Sequence, residues 1–325
     1  FRRVLFRSDA VGPNGSEAQT VQARIENLGE AGQGAARRLV GILGEAVESL
    51  RLGAAARIAV ELELMPEALE LTERYADGLR GRARTSFLED IARMAGDSEL
   101  AEVSTWSYGE LREAASSPGE RRQLDQRIAD MALQMGDTAA ALLAQQRVAE
   151  SYDPNSNDGR RARAQVIHLE ANTLEADLLR MSFLTFQAKF PEAPELDALA
   201  AAVSASLQSG GDSDGAHAVL QGITGPRSAL ESAYMLLGSG DIEGGRGTLL
   251  RAVSGLPPSE ATPIIQLASL LGQISQGSLP ILVAAGVKAH RGEGVEAAEG
   301  LVSETQNLAV SNRAPLLAEA ARMAM

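Results

Sequence analysis

The chain has 325 residues, 45% of them apolar but only 3% aromatic, with no cysteine and a formal net charge of −13. That length allows one long domain or two ordinary ones, and small or medium side chains must fill any core, which suits helices packed through Ala and Leu better than a β-sandwich. The missing thiols exclude disulfides, zinc ribbons and thiol catalysis; the acidic balance argues against nucleic acid and anionic membrane surfaces as partners; and no apolar run approaches the ~20 residues of a membrane helix.

Residues 1–8, FRRVLFRS, hold three of the 28 Arg and two of the six Phe, and differ abruptly in composition from the rest of the chain. Back-translated, they resemble the end of a common sequencing-library adapter. They read as a non-native tail, without which the net charge would be −16. On that reading the natural N-terminus and any targeting signal lie outside the sequence. Residues 9–16, rich in Pro, Asn, Gly and Ser, read as a flexible linker. Arg outnumbers Lys 28 to 2, the pattern of a high-GC bacterial genome.

From there the period is helical. Ser16-Glu17-Ala18-Gln19 has the form of a capping box opening an early helix, and the rest of the chain divides into roughly eighteen helical segments of 11–19 residues. One stretch alternates like a strand: Ile58, Val60, Leu62 and Leu64 between Ala59, Glu61 and Glu63. A lone strand would leave its backbone groups without a partner, so it is read as helix. The basic knots at 80–84 and 160–163 read as solvated helix faces. Ser117-Pro118-Gly119-Glu120 is a second capping box, with Pro in the first turn. It opens a helix whose Leu124, Ile128, Met131 and Met135 share one face.

Gly followed by an acid then recurs between helices: Gly96-Asp97, Gly136-Asp137, Gly211-Asp212, Gly240-Asp241 and Gly292-Glu293. Gly is expected to end one helix in the left-handed conformation and the acid to cap the next. A small residue comes four or five positions after each glycine's step, at Ala101, Ala141, Ala216, Gly245 and Ala297, and lets two antiparallel helices approach closely.

Here the chain resembles the tetratricopeptide-repeat (TPR) family. The best unit, 226–257, has Ala233, Leu236, the Gly240-Asp241 turn, then Gly245, Leu249 and Ala252, and stops at Pro257. Unit 278–311 matches at Ala285, Gly292, Ala297 and Leu301. Unit 197–223 matches at Val203, Leu207, Ala216 and Leu220, and unit 122–154 at Ile128, Ala129, Gly136, Asp137 and Ala141. The family's large aromatic near the start of each first helix is absent from all four. Turn spacings of 40, 75, 29 and 52 residues depart from a 34-residue repeat. Residues 259–275 form an extra helix that shifts the phase. The resemblance covers 118–325 well, and 17–117 only as degenerate helical hairpins. It implies an all-α, right-handed α-solenoid of antiparallel helix pairs. The amphipathic final helix, with Leu316, Leu317, Met323 and Met325, lacks a covering neighbour, so the solenoid is expected to be truncated at both ends.

Motifs for chemistry fail on physical grounds. Gly211-Asp212-Ser213-Asp214-Gly215 has the form of a nucleophile elbow, but helix precedes it where a strand belongs, and two Asp would disfavour an oxyanion. Neither Lys189 nor Lys288 follows Gly, so no phosphate loop of the Walker type exists. Gly238-Ser239-Gly240 lacks a dinucleotide fingerprint's third glycine. The stretch 153–159 imitates a calcium loop but carries Ala164 where a bidentate Glu belongs. His168, His217 and His290 fall in three separate units, which supports no metal site and no catalytic triad.

The expected function is therefore a non-catalytic protein–protein interaction scaffold, with no cofactor and no metal. The resemblance implies that first helices line a concave groove for another protein or peptide. Arg161, Gln165, His168 and Asn172, on a polar strip of one first helix, are the candidate contacts. The acidic balance favours a partner with basic segments. The alternative is a regulatory or docking arm of a larger enzyme whose catalytic domain lies outside this sequence. Phe186-Gln187-Ala188-Lys189-Phe190-Pro191 resembles repeat ends in bacterial envelope-assembly proteins, which implies a periplasmic or envelope location. The same phenylalanines, with Phe183, also read as one apolar helix stripe.

Overall fold

The computed structural model describes residues 49–98, 100–306, 308 and 310–324, together with Gly34, Arg37 and Arg38. The adapter-like tail, the 9–16 linker and the capping box at Ser16 lie outside them. Among the described residues the chain is all-helical, with no strand. It divides into two compact units, Phe1–Asp153 and Pro154–Met325.

In the first unit the helices are α1 (Ser49–Glu61), α2 (Glu67–Gly78), α3 (Gly81–Gly96), α4 (Ala101–Ala114), α5 (Pro118–Gln134) and α6 (Thr138–Glu150). The strand-like alternation falls at the end of α1, which runs through Glu61. Glu63 then reverses the chain with φ +52°. Ala59, Val60 and Leu64 are buried, sharing a core with Leu88, Ile91, Leu111 and Ile128. Ser117 Oγ accepts from Glu120 N at 3.1 Å, as the capping box requires, while the Glu120 carboxylate accepts from Ser116 N, one residue earlier than the motif specifies. The sequence boundary at 117/118 is no break in packing. Asp125 on α5, 2% exposed, accepts from Arg112 Nε of α4 at 2.6 Å and from Arg147 Nε of α6 at 2.7 Å. Two cations on one buried carboxylate tie α4, α5 and α6 together, and removing either leaves an ill-compensated charge.

The second unit holds α7 (Asn157–Glu170), α8 (Ala176–Lys189), α9 (Leu196–Ser209), α10 (Ser213–Leu220), α11 (Pro226–Gly238), α12 (Ile242–Ala252), α13 (Pro258–Gln273), α14 (Leu279–His290), α15 (Gly294–Thr305) and α16 (Val310–Met323). Short turns join α9 to α10, α11 to α12 and α14 to α15, and each pair packs face to face. Beyond its own pair, α9 packs on α7 and α11, and α11 packs on α14. Helix α13 is the extra element of the sequence, inserted between α12 and α14.

The pairing follows from small residues at the crossings. Ala216 and Ala297 are buried, and a Cβ built on Gly245 would stand 2.6 Å from Leu237 Cγ, so only glycine admits that leucine. Leu237 and Leu249, both fully buried, fill the space between α11 and α12. Leu236, one of the positions matched to the repeat pattern, is only half-buried; the inner positions belong to Ala233, Tyr234 and Leu237.

Four of the five turn glycines take the left-handed conformation: Gly136 (φ +72°), Gly211 (+86°), Gly240 (+92°) and Gly292 (+87°). Asp137, Asp212 and Asp241 each accept from a backbone N–H three residues on, at 2.9–3.0 Å. Glu293 caps nothing with its side chain. Gly96 is the exception, being simply the last residue of α3. Helix α4 begins only at Ala101, beyond the reach of Asp97 as its cap.

Helix α11 is capped from elsewhere. Its own cap residue is Gly225, which has no side chain to offer. The Asp197 carboxylate, in the first turn of α9, accepts from Arg227 N at 3.1 Å and Ser228 N at 2.8 Å. A Cβ at Gly225 would fall 2.1 Å from Asp197 Cγ, so the glycine makes room for the visiting carboxylate.

Candidate functional site

Helix α7 starts where Ser156 Oγ accepts from Gly159 N at 3.0 Å. Its outward face carries Arg161, Gln165 and His168, and Asn172 comes in the trailing turn; all four are exposed. Asn172 Nδ2 donates to the His168 carbonyl at 3.5 Å, which keeps the fourth member against the end of the helix. Arg161 stands 3.9 Å from Asp158, one turn back. The structure thus brings the candidate residues together along one exposed edge of α7.

The neighbouring cations are engaged. Arg160 pairs with Glu195, just before α9, with Nε 3.0 Å from Oε2. Arg163 donates to the carbonyls of Pro154 and Gly159. Of that basic knot only Arg161 faces outward. The knot at 80–84 behaves likewise. Arg80 donates to the Asp77 and Leu79 carbonyls, and Arg84 pairs with Glu110 at 2.5 Å. These two arginines, with Leu88 and Leu111, border an open hollow of about 370 Å³ at the start of α3.

A second polar group escapes a linear reading because its members lie 60 residues apart. Glu231 on α11 is 6% exposed. Its Oε1 lies 2.5 Å from His290 Nε2 and its Oε2 accepts from the Arg291 guanidinium at 3.1 Å. Tyr234, one turn along α11, stacks on the His290 ring at 3.9 Å. Burial pushes the Tyr234 phenol up to about 12, against the pull of Arg322; Glu319 and Glu231 add to the rise. Arg322 is held above its usual value first by its hydrogen bond to Glu319. Both Glu231 oxygens are taken, so the cluster fastens α11 to the end of α14 and offers no open ligand position. The only sequence signal was the Glu231/Tyr234 spacing of one helical turn, which also fits a solvated face.

His168, His217 and His290 sit on α7, α10 and α14, and no metal-holding group of His, Cys, Asp and Glu occurs among the described residues. Ser213 opens α10 directly after the α9 turn, without a preceding strand. No described helix is long and apolar enough to cross a membrane. Phe183 and Phe186 are buried, and Phe190 lies 5.2 Å from Phe186, forming one stripe that closes α8 onto α9. No family model matches this chain, and no match emerges among curated proteins.

Proposed function

We propose that the chain is a non-catalytic scaffold of TPR-like α-solenoid type, which binds another protein along the groove formed by its first helices. One observation carries the reading. From α7 to α11, side-chain bonds between successive first helices, or the turns beside them, recur at sequence separations of 35, 35 and 31 residues: Arg160 to Glu195, Ser206 to the Ala171 carbonyl, and Ser228 to Asp197; from α11 to α14, with α13 inserted between, the separations are 59 and 60. The register from α7 to α11 is close to a 34-residue repeat, and stacked repeats of this size present a curved surface to a peptide or helix. Arg161, Gln165, His168 and Asn172 supply polar contacts on that surface, and the net charge of −13 favours a partner with basic segments.

The test is selection of a displayed random-peptide library on the full chain, with titration of the winners. Basic peptides are expected, and the Gln165→Ala/Asn172→Ala double variant, which removes hydrogen-bonding groups from the strip without removing a like charge that repels them, should bind them about tenfold more weakly. A library that yields no binder, or binders indifferent to every change on α7, defeats the reading.

A further inference from the structure

The hollow at the start of α3 lies in the first unit and has a volume of about 370 Å³, at the small end of the ~300–1,000 Å³ typical of ligand cavities. Its inner wall is apolar. Leu88 and Leu111 are both buried in the core of that unit, and Ala114, the last residue of α4, carries the wall out to the surface. Its rim is charged. Arg84 is committed there: Nη2 pairs with Glu110 and Nε donates to the Ala76 carbonyl at 3.3 Å, so its charge is already compensated. Asp77 and Arg80 are different.

Arg80 Nη1 donates to the Asp77 carbonyl at 2.7 Å and to the Leu79 carbonyl at 2.8 Å. That uses both hydrogens of one amino group and holds the guanidinium in place. The Nε–H/Nη2–H edge is left without a partner among the described residues. Such an edge is the fork that receives a carboxylate through two parallel bonds. The Asp77 side chain is exposed, and its carboxylate takes no hydrogen bond or ion pair among the described residues. The two residues are oppositely charged and three positions apart, yet they do not pair, because the guanidinium is turned to the carbonyls. The rim therefore offers one cation and one anion, each unanswered, beside an apolar wall. A phosphate or a dicarboxylate would meet Asp77 as a like charge, and a simple cation would meet Arg80. A ligand carrying an anion, a cation and an apolar group on one carbon answers all three. We propose that the hollow binds a free apolar α-amino acid, with its carboxylate on Arg80, its ammonium on Asp77 and its side chain against Leu88 and Leu111.

Isothermal titration of the full chain with L-leucine, L-isoleucine, L-valine, L-methionine and L-phenylalanine tests this. At least one is expected to bind with Kd below about 1 mM. Its N-acetyl form, which lacks the ammonium, and its amide, which lacks the carboxylate, should each bind about tenfold more weakly or worse. Glycine, with no apolar side chain, should not bind. Asp77→Asn and Arg80→Lys should each weaken binding about tenfold, the lysine because it keeps the charge but has no fork. Ala114→Phe should block binding by filling the hollow. All three positions are exposed, so thermal melting should be unchanged, which separates a lost site from a lost fold. No binding by any of these amino acids up to about 10 mM overturns the proposal, as does binding indifferent to Asp77→Asn and Arg80→Lys. An N-acetyl form that binds as tightly as the free amino acid gives the hollow to the C-terminal residue of a peptide, and also overturns it.

Discussion

The turn between α3 and α4 and the turn between α11 and α12 begin with the same dipeptide, Gly-Asp, and use it differently. At Gly240-Asp241 the glycine is there for its backbone: φ is +92°, and a Cβ would meet nothing within 4 Å. Asp241 then caps α12 through Gly244 N. At Gly96-Asp97 the glycine is there for space. Its φ is not positive, but a Cβ would stand 3.2 Å from Met131 Sδ and 3.4 Å from Ser104 Oγ. Ser104 uses the gap to donate to the Ala92 carbonyl at 2.8 Å, closing the hairpin by a side chain. The difference lies in the distance from the dipeptide to the next helix. Helix α12 starts at Ile242, directly after the acid, whereas α4 starts four residues after Asp97. A Gly-Asp step is a turn signal only when the next helix begins at once.

The largest test of the second turn's setting is Leu249→Asp. It buries a charge at a fully enclosed site and should remove roughly 4 kcal/mol or more, enough to melt the second unit; unchanged helicity and melting would dismiss the pairing of α11 with α12. Whether that unit melts as one block can be tracked through Tyr234. Its phenol is raised from 10 to about 12, so the folded form keeps its proton longer. Stability owed to this group is complete below pH 10 and is lost as pH rises to 12, at most about 2–3 kcal/mol. Tyr234→Phe should abolish that alkaline loss in thermal melts and delete a phenolate absorbance that appears near pH 12.

Gly240→Ala against Gly96→Ala sharpens the comparison directly. The first forces a left-handed alanine and should cost about 1–2 kcal/mol. The second asks only that the flexible Met131 side chain yield, and it gains helix propensity, so it should fall within about 0.5 kcal/mol of the original. Equal losses would erase the distinction between glycine for conformation and glycine for space. Asp241→Ala and Asp97→Ala are the mildest pair, about 1 kcal/mol for the lost cap and close to nothing where there is none.

Much of the helical order was legible because its signals are local. The Ser117 cap, the glycines at 136, 211, 240 and 292, and the small residues at 141, 216, 245 and 297 all act on neighbours a few positions away. Gly96 misled because a dipeptide does not state where the next helix starts. The extra helix after Pro257 was visible, but its placement outside the α9–α11–α14 packing was not, since packing partners are chosen by shape. That Arg161, Gln165, His168 and Asn172 share one exposed edge was legible from their spacing, while their choice as partner contacts came from the resemblance to the TPR family. The Glu231–His290–Arg291 cluster was not: its members meet only through the packing of α11 on α14, and His290 stood isolated in the sequence because its partner is a carboxylate 59 residues away. Similarly, nothing local reveals that Arg160 and Arg163 are engaged while Arg161 is free to face outward.

The carboxylate of Asp197 on the first turn of α11 has a consequence for how such a chain could be rearranged. Helix α11 does not carry its own beginning; it is completed by the preceding hairpin. A gene duplication that copied only residues 226–257 and placed them elsewhere would deliver a hairpin with two amide hydrogens exposed and a glycine shaped for an absent guest. Successful copying or shuffling would have to carry the donor hairpin along. The self-sufficient structural piece is thus offset from the helical hairpin, running from the start of one hairpin into the first turn of the next.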